Sequence, residues 1–258
     1  MKLDNAMMRR LQNKSAQGKM EIQTSAATHK GIGLKSLYFG LVTILAAVIS
    51  YVMFYKFLDT GNGEALYVLL MIASFSFIPM LVLSVIISFA PKTVVVCGTL
   101  YSLLQGLFLS VLVALVDMAY PGISLAAVLG TLIVFCVALL FSRVFGAKVS
   151  SKLLLGVYIV IVALALTELV LWVLSLCGVY AFGAIWWIQL ISCAFCIVMG
   201  TIMLMADFQT AESMVNQGVD KSYEWNVGFA IVTTLVYLYL EILELLIRIA
   251  MIFGRKKN

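Results

Sequence analysis

Four ionisable side chains, Glu168, Glu241, Glu244 and Arg248, stand inside apolar runs of a 258-residue chain, and Asp207 stands at the inner end of another. An ionised group at the centre of a membrane helix costs roughly 2.5 to 3.5 kcal/mol, so each needs a partner or water. At about 100° per residue, Ala230, Thr234, Tyr237, Glu241, Glu244 and Arg248 all fall within about 60° of the direction of Glu241. The last apolar run therefore carries one polar stripe, opposite a mainly apolar face of Val232, Leu235, Tyr239, Leu243 and Leu246. Such a stripe is expected to face the protein interior or a watery cavity, because lipid tails offer polar groups nothing.

Glu244 and Arg248 are four apart with the acid first, the spacing of an intrahelical ion pair. One arginine does not satisfy both acids, which leaves three roles open for Glu241. It is protonated and silent, shares a proton with a second acid, or offers hard oxygen ligands to a cation. Asp207 is the best candidate for that second acid and second ligand; the alternative for it is a solvated carboxylate at a helix end. Glu168, beside Thr167, is equally readable as a structural hydrogen-bonding group or as a place on an ion pathway.

Other motifs carry less. Cys193 and Cys196 form a CxxC inside an apolar helix and read as buried structural thiols. The only histidine, His29, lies in the amino-terminal tail, which removes His-ligated haem and a Ser/His nucleophile from the membrane region. No enzyme chemistry and no resident cofactor is expected. Gly106 and Ser110 have the small-xxx-small spacing that lets helices approach closely, and Pro79 is expected to kink its helix.

The elements that must position these groups are transmembrane helices. The chain is 64% hydrophobic and 11% charged, against roughly 25% charged in soluble domains. Its net charge of +5 does not point to nucleic acid, because seven of the seventeen basic residues precede the first apolar run, as a cytoplasmic anchor on anionic lipid would. Seven runs meet or approach the roughly 20 residues a bilayer requires: Leu37 to Phe57, Leu66 to Phe89, Val94 to Val116, Ile123 to Phe141, Leu153 to Leu176, Ile185 to Ala206 and Val227 to Phe253. The expected fold is an all-α integral membrane bundle of seven transmembrane helices, residues 37–253. It lies between a mostly disordered basic tail, 1–36, and a short basic tail, 254–258.

Within the first tail, Leu3, Met7, Met8 and Leu11 could form one apolar helical face on the membrane. The odd count of five cysteines argues against a disulfide framework, and the first apolar run starts too late and is too long for a cleaved signal. With the amino terminus inside, twelve Lys/Arg fall on the inner side and four outside. The ending Arg255-Lys256-Lys257 opposes this locally and leaves open a last helix that returns to the inner side. The long connection from Asp207 to Asn226 is expected to hold an interfacial helix anchored by Tyr223 and Trp225.

Several stretches resemble the Bax inhibitor family, most closely its YccA-like prokaryotic branch. They are Phe89-Ala90-Pro91, the run from Leu100-Tyr101-Ser102 to Leu109, and Tyr120-Pro121-Gly122-Ile123. The most specific is Lys221-Ser222-Tyr223-Glu224-Trp225 followed by Leu238-Tyr239-Leu240-Glu241-Ile242-Leu243. The resemblance implies seven helices with the last one central, and a pH-sensitive calcium leak gated by paired acids. Asp207 and Glu241 match those two positions. A cation leak of the inner (plasma) membrane, with calcium as the permeant ion, is the expected function. The alternative is a regulator without transport that binds a membrane protease or a stress-response partner. A proton-coupled transporter would call for an inverted repeat, which the sequence does not show.

Overall fold

The computed structural model describes residues 26–144, 149–176 and 182–255. They form helices α1 (His29–Asp59), α2 (Gly63–Phe75), α3 (Phe77–Phe89), α4 (Val94–Ala119), α5 (Ile123–Val144), α6 (Ser151–Leu176), α7 (Phe182–Asn216) and α8 (Glu224–Arg255). Short 3-10 turns at Pro91–Thr93 and Lys221–Tyr223 precede α4 and α8. Among the described residues, six segments are long and apolar enough to cross a bilayer: His29–Asp59, Gly63–Phe89, Pro91–Ala119, Ile123–Ser142, Gln189–Asn216 and Lys221–Ile252. Helix α6 has 26 residues, with an apolar stretch described over Lys152–Leu164.

The structure moves three boundaries. Helix α1 starts at His29 rather than Leu37, because the Thr28 side chain caps it by accepting from the Gly31 amide at 3.0 Å and Ile32 is buried. The remainder of the tail, with its Leu3-Met7-Met8-Leu11 face, lies outside the described residues. The second apolar run is two helices that meet at Ser76. Pro79 cannot donate to the Phe75 carbonyl four residues back, so the kink falls one turn before the proline.

The third correction concerns the connection after Asp207, where no separate interfacial helix forms. Helix α7 continues unbroken to Asn216, since Ala211 and Met214 give the polar stretch a buried inner face. It ends where Gly218 takes a φ of +61°, a conformation open to glycine.

Helix α8 packs against α1, α4, α5 and α7. Much of its apolar face is covered, with Val232, Tyr239 and Leu243 buried, while the polar stripe runs from buried Thr234 through half-buried Glu241 to exposed Glu244. Around its first turns, Phe229 stacks edge-on against Phe39 and Tyr101. Helices α1 and α4 approach closely at Gly106, where an added Cβ would collide with the Thr43 carbonyl and the Ala46 side chain of α1. Gly106→Val is expected to force α1 and α4 apart and to cost about 3 kcal/mol. A lowered unfolding midpoint in detergent checks this, and Gly33→Val, with nothing near its Cβ, is the control that should change it little.

Candidate functional site

The amino-terminal ends of α1 and α8 are locked together. Ala26 pairs with Asp220 in an isolated bridge, and the Ala27 amide donates to the Val219 carbonyl at 2.8 Å. Glu224, in the first turn of α8, is fully buried. Its Oε1 accepts from the Thr28 amide at 2.7 Å and the Thr28 hydroxyl at 3.3 Å, and its Oε2 meets Lys35 Nζ at 2.7 Å. Lys35 Nζ also donates to the Lys221 carbonyl at 2.9 Å and lies 5.0 Å from the centre of the Trp225 ring. Trp225 therefore faces α1, edge-on to Tyr38 and Phe39, instead of serving as an outward interfacial anchor. Gly31 has no side chain where the Glu224 carboxylate sits.

Further along the α7/α8 seam, the Thr234 hydroxyl donates to Asp207 Oδ2 at 2.7 Å. Asp207 is thus not a solvated helix end: it is a half-buried acid in direct contact with α8. Tyr158 of α6 lies within electrostatic reach of it.

Glu241 belongs to a second cluster. Cys193 of α7, 4% exposed, directs its sulfur at the Glu241 carboxylate (3.8 Å) and backbone carbonyl (3.9 Å). Tyr237, one turn back, lies within electrostatic reach of both Glu241 and Cys196. Glu244 pairs with Arg248 as their four-residue spacing anticipates. Ligand atoms of Cys193, Glu241 and Glu244 all lie within 4.8 Å of one another.

Asp207 and Glu241 are not brought face to face. Asp207 meets α8 at Thr234, seven residues before Glu241, which separates the two acids by about 10 Å along the helix. The Glu168 side chain lies outside the described part of α6. A cavity of about 1150 Å³ opens between α1, α5, α7 and α8. Its lining is mainly apolar and includes the exposed Leu37, Leu41, Ile44 and Val48 of α1; His29, Glu212, Asn216 and Gln217 gather at the end near the α1/α8 junction, and Phe208 and Leu235, next to Asp207 and Thr234, also line it.

The sequence profile of the Bax inhibitor 1 like family matches residues 5–251, nearly the whole chain. The chain belongs to that family. No curated protein and no solved structure matches it. In this Bax inhibitor 1 like protein, the most specific sequence stretch, Lys221 to Trp225, coincides with the buried junction between α1 and α8. Glu224 is the residue that sequence reasoning missed. Its one local signal was an acid in the first turn of the last helix, where the helix dipole favours negative charge.

Proposed function

We propose that this Bax inhibitor 1 like protein is a pH-sensitive calcium-permeable leak of the inner (plasma) membrane, crossing it seven times with a cytoplasmic amino terminus and α8 at the centre. Parity supports the seventh crossing. The starts of α1 and α8 are bonded at one end of the bundle, so the chain between them must cross an even number of times. Five of the intervening and initial spans are evident from length and apolarity, and α6 supplies the sixth. Helix α8 is unbroken over 32 residues, about 48 Å, which favours a full crossing over a return.

On that orientation the buried junction marks the inner end. Asp207 and Thr234 then lie about 15 Å further along α8, near the midplane of a hydrocarbon core roughly 30 Å thick. Glu241 lies about 10 Å beyond, in the outer half. Ions enter from the end of the cavity near the α1/α8 junction, meet the Asp207–Thr234 closure, and pass Glu241 on the way out. The acids act as two stations in series, with Asp207 as the gate and Glu241 as the group that draws cations in. Glu244 and Arg248 set the charge of the outer end; Glu168 is a further pathway candidate on α6.

The single observation that carries this reading is the pair of carboxylates held at different positions along one helix seam by hydroxyl and thiol partners, with a cavity passing beside the first. Purified protein in liposomes is expected to leak calcium above protein-free vesicles. Glu241→Gln should lower the rate by about tenfold, because a fixed anion no longer concentrates cations at the outer station. Wild-type vesicles no leakier than empty ones would refute the proposal.

A further inference from the structure

We propose that Cys193, Glu241 and Glu244 form a binding site for a soft or borderline divalent metal, of which zinc is the natural example, on the outer half of the α7/α8 seam. Metal binding there does not depend on calcium passage, although the site includes Glu241 of the proposed path. A thiol and two carboxylates from two helices already lie within 4.8 Å of one another, and the tetrahedral site they would form around zinc needs neighbouring ligand atoms about 3.5 Å apart. The Cys193 to Glu241 separation of 3.8 Å is close to that value, so small rotamer changes close the site and leave a fourth position for water. Sulfur selects against calcium, which takes six to eight oxygens.

Charge balance favours the same occupant. A thiolate and two carboxylates carry three negative charges; a divalent ion and Arg248, already paired with Glu244, offset them. Glu244 can keep Arg248 on one oxygen and offer the other to metal, so the ion pair becomes an outer partner that orients a ligand. Cys193 is buried with its sulfur aimed at the Glu241 carboxylate. Because Glu241 is shared with the proposed leak path, occupancy would also block the leak; only that consequence rests on the function proposed above.

The test reads binding without flux. Full-length protein in detergent is titrated with cadmium, and the ultraviolet thiolate-to-cadmium charge-transfer band is followed. One equivalent should saturate the band, zinc should displace it, and excess calcium should not. Cadmium should also raise the unfolding temperature of the unaltered protein. Cys193→Ser should abolish the band, Cys97→Ser with Cys136→Ser should keep it, and Glu241→Gln, which retains every thiol, should weaken binding at least about tenfold. A full band in Cys193→Ser, unchanged affinity in Glu241→Gln, or no saturable band in the unaltered protein would each overturn the proposal.

Discussion

Lys35→Met is expected to destabilise the protein by about 3 kcal/mol, because it leaves the Glu224 carboxylate buried without its counter-charge. Breaking a buried pair from one side costs about 3 to 5 kcal/mol, and this one sits at the end of the helices instead of deep in the bundle, so the lower end applies. The two Thr28 bonds to Glu224 remain and do not supply a charge. For a chain of this size, the loss corresponds to a fall of about 6 to 12 °C in the unfolding midpoint, read by thermal unfolding in detergent. The double variant Lys35→Met with Glu224→Leu should recover much of it, since apolar groups of similar volume often replace a buried pair at little cost. Gly31→Ala should behave like the single variant by displacing the carboxylate. An unchanged midpoint in Lys35→Met would show that the junction contributes nothing.

The second large effect concerns the proposed closure at Asp207 and Thr234. Thr234 donates to Asp207, and a hydrogen bond to a charged acceptor is worth about 1.5 to 3 kcal/mol, roughly twice a neutral one. The closure is therefore strongest when Asp207 is ionised and loosens as pH falls and the carboxylate takes its proton. Calcium leak through the unaltered protein is expected to rise with acidity. Asp207→Asn keeps the shape of the neutral acid and should raise the leak at neutral pH by about tenfold, the equivalent of about 1.4 kcal/mol, with little further response to pH. Thr234→Val removes the donor from the other side and should do the same. Flux measured across pH in liposomes decides it; both variants tracking the unaltered profile would remove Asp207 from the gate.

What the sequence disclosed follows from how far each signal reaches along the chain. The stripe from Thr234 to Arg248 and the Glu244–Arg248 pair are periodic within one helix, and both are visible without a structure. Gly106 was legible for the same reason, although its partner, the α1 backbone, was not. Glu224 was hidden because its neighbours Asp220 and Lys221 make the segment look solvated, while its counter-ion lies in what reads as a polar tail. Cys193 was likewise read as an inert thiol, since only the pairing of α7 with α8 brings its sulfur to Glu241. The run from Asp207 to Asn216 reads as a separate interfacial helix because its charged and polar residues mask the inward face of Phe208, Ala211, Met214 and Val215, which packs only once α7 meets its neighbours.

The bond from Thr28 to Glu224 spans 196 positions of the chain, which sets an order of assembly. The ribosome delivers α1 well before its docking partner α8, so this end of the bundle stays open while the helices between them are made. Until then Ala27 lacks its bond to Val219 and Ile32 its cluster with Val227 and Ile231, whereas Phe39 already has α4 beside it at Gly98. The arrival of α8 is, in effect, what seals the start of α1.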